Sequence, residues 1–184
     1  QDFPRYGMSA PGSGKVHVLG DKYVFTTGVG ITTWEYLLMN NGTFNAATNS
    51  FDWGKVEIHN TFHQPNGPGT QIHVSSYNTA WSPDGSVGYV WALGIDSANP
   101  NTSYQPVVFK SVDEGATWTK LPFYDFSNNT VIYSNIWATL ADDQTKRPFF
   151  GSLTDGVVDN DGNLHLVGVI TGAYSIHPDS LGFY

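Results

Sequence analysis

Apolar residues in this sequence recur at every second position, segment after segment, and that period commits the chain to β-strands rather than helices. KVEIH (55–59) alternates cleanly, and VGYVWALGI (87–95) is a continuous apolar run of the kind buried on both faces of a sheet. KVHVLG (15–20) and KYVFTTG (22–28) read as two short strands around Gly20-Asp21. ITTWEYLL (31–38) reads as a third, closed by a turn at Asn40-Asn41-Gly42. TQIHVSS (70–76), QPVVFKS (105–111), TWTKL (117–121) and NLHLVGVITG (163–172) continue the series. No convincing amphipathic helix is present, although SNIWATLADDQ (134–144) has room for one or two turns. Charged residues make up only 13% and aromatics 15%, which suits half-buried pleated surfaces and predicts an all-β chain.

Three segments share a layout of strand, acid-bearing turn, apolar strand and glycine: residues 16–28, 79–94 and 157–172. Their acids are Asp21, Asp84 and Asp161, and Asp-Gly in the last two supplies the positive φ of a tight hairpin. Between the second and third lies SVDEGATW (111–118), flanked by apolar strands. Asp113 can accept hydrogen bonds from backbone beyond it, and Gly115 can adopt a left-handed conformation. The hydroxyls of Ser111 and Thr117 can satisfy further backbone groups, and Trp118 can lie over the turn as a lid. Every residue type therefore has a use in folding a hairpin tip.

SVDEGATW resembles the Asp-box, Ser/Thr-x-Asp-x-Gly-x-Thr-Trp, of bacterial sialidase repeats, sortilin-like receptors and many secreted β-propellers. Ser111, Asp113, Gly115, Thr117 and Trp118 occupy every defining position, over 8 of 184 residues. The resemblance implies a partial β-propeller of four-stranded antiparallel blades, with the Asp-box joining third and fourth strands away from the active face. It also implies a structural rather than catalytic Asp113. Approximate blades would be 15–58, 77–121 and an incomplete 156–184, with long connecting loops at 59–76 and 122–155. A propeller closes with about four to eight blades, so the chain is expected to belong to a longer protein. No initiator Met or signal peptide is seen, as in a mature chain or a fragment.

Sialidase chemistry needs an arginine triad for the substrate carboxylate, and only Arg5 and Arg147 are present. Asp142, Asp143, Asp155, Asp159 and Asp161 are candidates for a glycosidase carboxylate pair by number alone. DNDGN (159–163) lacks the calcium-loop spacing, with Val157 and Gly168 where ligands would stand. His59 and His63 are four apart, but Asn60, Pro65 and Gly67 argue against the helix a zinc pair would need. No cofactor is therefore expected, and a structural calcium has no loop motif behind it. His17 and His165 are expected between blades, as are Tyr89 and Trp91, which share a strand face close to Trp81. In the longer loops, Trp137, Phe149 and Phe150 are the candidate binding residues.

A net charge of −8 without a basic cluster argues against nucleic acid, and no apolar run approaches the about 20 residues of a membrane span. The absence of cysteine removes disulfides and thiol chemistry. The tryptophan-rich, lysine-poor style also resembles large secreted and surface proteins of Bacteroidota, many exported by type IX secretion. Asp96-Ser97-Ala98 and Asp179-Ser180-Leu181 resemble the O-glycosylation acceptor of that phylum. The expected function is a secreted or cell-surface propeller module that binds a protein or glycan, as in a subunit of an outer-membrane complex. The alternatives are a sialidase-like glycoside hydrolase with most catalytic residues outside this span, and a structural repeat module of an adhesin.

Overall fold

The computed structural model describes residues 2–26, 31–59, 62, 74–99, 103–137 and 146–173. They form three antiparallel sheets, so the chain is all-β, with one short helix among the described residues. The first sheet is a meander of β1 (Asp2–Ser9), β2 (Lys15–Thr26), β3 (Ile31–Asn45) and β4 (Ser50–His59). The second repeats that order with β5 (Val74–Trp81), β6 (Gly88–Gly94), β7 (Gln105–Ser111) and β8 (Thr119–Lys120). The third contains β9 (Pro148–Val158) and β10 (Leu164–Gly172).

The second sheet lies between the other two, and β6 shows why. Its seven residues are all buried, and its side chains alternate between two cores. Val90 and Ala92 join Val107 and Phe109 of β7 against Leu19, Leu37, Met39 and Ile58 of the first sheet. Tyr89 and Trp91 turn the other way, onto Val158 and Leu164 of the third. A strand covered on both faces has no position for a polar side chain, hence the unbroken apolar run. The aromatics Tyr89 and Trp91 fill space between sheets, with Tyr89 Oη donating to Gly162 O at 2.8 Å and Trp91 Nε1 to Thr154 Oγ1 at 3.1 Å.

Two expected turns are absent. β2 runs straight through Gly20-Asp21, pairing Gly20 with both Pro4 and Leu38 and Asp21 with both Phe3 and Leu37. With ladder partners on each side, the backbone has no hydrogen bonds to gain from turning. The Asp21 carboxylate is instead buried and accepts a hydrogen bond from the Tyr77 hydroxyl of the second sheet. The acid-bearing turn therefore occurs in two of the three proposed repeats. β3 likewise passes through Asn40-Asn41-Gly42 and turns at 46–49, where Asn49 takes φ 50. Asn40 and Asn41 spend their amides on tertiary partners, Val18 O and Gly115 O.

The segment 122–155 is not wholly a loop. It holds a 3-10 turn (Phe126–Asn128), α1 (Thr130–Asn135) and the opening residues of β9. Asn129 explains where α1 starts: its Oδ1 accepts from the amides of Val131 and Ile132, both at 3.1 Å. The helical turn thus starts four residues before the predicted 134–144 and overlaps it at Ser134 and Asn135, while 138–144 lie outside the described residues. In the 59–76 segment, β5 opens at Val74, and Phe62 is buried in the core beside the first two sheets. Residues 63–73 lie outside the described residues.

Antiparallel meanders sort their connections. The turns at 10–14, 82–87, 112–118 and 159–163 gather at one end of the stack. The Gly85 backbone comes so close to Pro11 that a Cβ there would sit 2.8 Å from its Cγ, and Glu114 N donates to Ser86 O at 3.3 Å. Strand ends leading into 60–73, 95–104 and 121–147 face the opposite end.

Candidate functional site

The hairpin between β7 and β8 is closed by Asp113. Asp113 Oδ1 accepts from Ser111 Oγ at 2.8 Å and Thr117 N at 2.9 Å, while Oδ2 accepts from Thr117 Oγ1 at 2.6 Å. Ser111 Oγ accepts in turn from Gly115 N at 2.9 Å. Glu114 and Gly115 take φ of 60 and 85, which brings the chain round within two residues. Gly115 O then receives both Trp118 Nε1 at 3.2 Å and Asn41 Nδ2 at 3.0 Å, tying the tip to the first sheet. Trp118 packs on the core beneath, standing edge-on to Trp81. Both oxygens of Asp113 are used within its own hairpin.

The turn at 159–163 uses the same device. Asp159 Oδ1 accepts from Asp161 N and Asn163 N at 2.9 and 2.8 Å, and Oδ2 from His165 Nε2 at 2.8 Å. At 82–87, Asp84 Oδ1 accepts from Ser82 Oγ at 2.6 Å and Ser86 N at 3.0 Å. Hydrogen bonds to the ionised form lower all three carboxyl pKa values. The hydroxyl of Ser82 leads at Asp84, pulled to about 2, the Thr117 hydroxyl at Asp113 and the His165 ring at Asp159. Because the folded values lie below the unfolded value of about 3.9, this stabilisation is complete above it and is lost as pH falls through the folded values. The turns are therefore expected to loosen progressively as pH falls below the unfolded value, with the amides of Gly115, Thr117 and Asn163 losing protection beyond what their intrinsic rates explain. In Asp113→Asn, which cannot ionise, the acid-dependent change at Gly115 and Thr117 should shrink while that at Asn163 persists.

The other candidate acids do not converge. Asp155 is exposed and caps its neighbour's amide, Gly156 N, at 2.8 Å. Asp159 and Asp161 belong to the turn just described, and Asp142 and Asp143 lie outside the described residues. His59 sits beside Glu57 and edge-on to Tyr36, with His63 and His73 outside the described residues. No group of three or more His, Cys, Asp or Glu able to hold a metal is found among the described residues. His17 lies between the first two sheets, as expected of it, whereas His165 is exposed at the start of β10 in the third.

The three candidate binding residues lie towards the opposite, connecting end, in different environments. Phe149 is buried and stacked on Tyr104, with ring centres 5.4 Å apart. Phe150 is buried edge-on to Phe126 at 4.7 Å. Both rings are occupied in packing. Trp137 is 76% exposed, and Gly172 lies against its backbone, where a Cβ would come within 2.5 Å of Trp137 O. Separately, a pocket of about 180 Å³ that Trp137 does not line opens between β7, β8 and the Pro122–Phe126 segment. Pro106, Val108, Leu121, Tyr124 and Leu166 supply apolar walls, and the Lys120–Asp96 ion pair lies at its edge.

Sequence reasoning did not single out this pocket, because it forms only when the 106–126 stretch folds back on itself against Leu166 of β10. A carboxylate following the apolar β6 strand was the available signal. Asp96 is fully buried, with Oδ1 accepting from Ala98 N at 2.9 Å, while Ser97 beside it is exposed. Asp179–Leu181, the second acceptor-like triplet, lies outside the described residues. Among the described residues no helix is long and apolar enough to cross a membrane. No protein-family model matches the chain, and no curated protein matches it.

Proposed function

We propose that the chain is part of a β-propeller of four-stranded antiparallel blades and acts as a binding module for a protein or glycan at the cell surface. Two successive four-stranded meanders stacked face to face, with a third sheet begun on the far side, support the blade reading. The observation that carries the functional half is the use of Asp113. Its carboxylate serves its own hairpin, at the end of the sheets where short turns gather. Binding is thereby assigned to the connecting end, with exposed Trp137 and the pocket walled by Tyr124. A secreted or outer-membrane setting follows from the resemblance of the Asp-box and of the composition, and no cofactor is proposed.

The test is a panel of immobilised glycans and candidate surface proteins, with wild type, Trp137→Ala and Tyr124→Ala compared at equal fold content. Loss of at least tenfold in affinity in either variant for a ligand bound by the wild type is the expected result. Ligand binding untouched by both variants would move the site elsewhere. Turnover of a fluorogenic sialoside by the full-length protein would favour the hydrolase instead.

A further inference from the structure

His17 is the one buried histidine among the described residues, and it sits at the seam between the first and second sheets. Its ring lies parallel to that of Trp81 of β5, 8° from coplanar with centres 3.5 Å apart. Nδ1 is 2.8 Å from Asn41 Oδ1. Asn41 donates its amide hydrogen to Gly115 O in the Asp113 hairpin. That fixes Oδ1 as the atom facing the ring, and Oδ1 only accepts. The proton must therefore be on Nδ1, and Nε2 carries the lone pair. Nε2 is buried without a hydrogen-bond partner.

We propose that this seam is a pH-sensitive joint, closed while His17 is neutral and released when the ring takes up a second proton. A proton on Nε2 would create a buried charged N–H with no acceptor. The indole face attracts a cation, but stacking leaves the new in-plane N–H unsatisfied. The charged groups around the seam do not compensate. Lys15, two residues away on β2, opposes a positive ring. Glu114 of the hairpin is engaged by Lys15 itself. Asp21, farther along β2 on the same face, accepts from Tyr77 of β5 at Oδ2, and its buried Oδ1 makes no hydrogen bond to the ring. Burial accordingly holds the His17 pKa below the ordinary 6.5. The sign follows: stability from a neutral His17 is complete above the unfolded value and is lost as pH falls through the lower folded value. The relay His17–Asn41–Gly115 makes the Asp113 hairpin the element that loosens with it.

Proton NMR of the full chain across pH 8 to 4 tests this directly. His17 is expected to titrate below the ordinary value, and the Asn41 side-chain and Gly115 amide signals should move with the same midpoint. Trp81 and Trp118 fluorescence should change reversibly there. His17→Gln, which keeps a donor for Asn41 but cannot charge, should abolish that step, while His165→Gln should leave it in place. If His17→Gln does not fold, the shared midpoint in the wild type decides. A step that persists in folded His17→Gln, or a His17 titration that leaves Asn41 and Gly115 unmoved, overturns the proposal.

Discussion

Trp91→Ala is expected to destabilise the protein by about 3–5 kcal/mol, the usual cost of emptying a buried aromatic site. Trp91 is fully buried at the centre of β6, which is itself covered on both faces. Its indole rests on Gly156 of β9, where a Cβ would meet Trp91 Cη2 at 2.9 Å. Its Nε1 also satisfies Thr154 Oγ1. Among the described residues the third sheet has two strands, and a two-stranded sheet is marginal without a surface to rest on. Removing the ring should therefore release β9 and β10 before the rest of the fold. Urea unfolding at neutral pH measures the total, and hydrogen exchange should show the largest loss of protection in β9 and β10. Equal loss across all three sheets would show that the third does not depend on this contact.

Gly115→Ala is expected to cost roughly 2–5 kcal/mol, from two separable sources. Gly115 has φ 85, where any Cβ is strained by about 1–2 kcal/mol. The added methyl would also lie 2.8 Å from Trp81 Cη2 and 2.9 Å from Asn41 Oδ1, and overpacking of this kind costs about 1–3 kcal/mol. Gly162→Ala provides the comparison. Its φ of 77 is similar, but the nearest atom, Val87 Cγ2, is 3.4 Å away. The Gly162 variant should lose the conformational part alone, so the difference in urea midpoint between the two measures how tightly the hairpin is seated. Equal losses would mean that the contact with Trp81 and Asn41 relaxes at no cost.

Much of this architecture was legible along the chain. Alternation placed β7 and β10 close to their true limits but caught only the second half of β4, and the apolar run at 87–95 marked β6 as buried on both faces. Ser111, Asp113, Gly115, Thr117 and Trp118 declared a hairpin tip because their hydrogen bonds span at most four residues. Gly20-Asp21 and Asn40-Asn41-Gly42 misled for the same reason that they were noticed. Turn-forming residue types favour a turn only where the backbone lacks better partners, and here neighbouring strands supplied them. At the connecting end, Trp137, Phe149 and Phe150 looked alike as sequence, yet burial divides them.

The sequence alone determined what depends on near neighbours: strand period, the Asp-Gly turns and the octapeptide that closes β7 onto β8. Tertiary structure alone decided which carboxylates and aromatics meet across sheets. The Lys120–Asp96 pair, the His17–Trp81 stack and the Asn41–Gly115 link join residues 24 or more positions apart. Local hydrogen bonds are dictated by spacing and residue type, whereas contacts between sheets depend on register and stacking, which no single segment encodes.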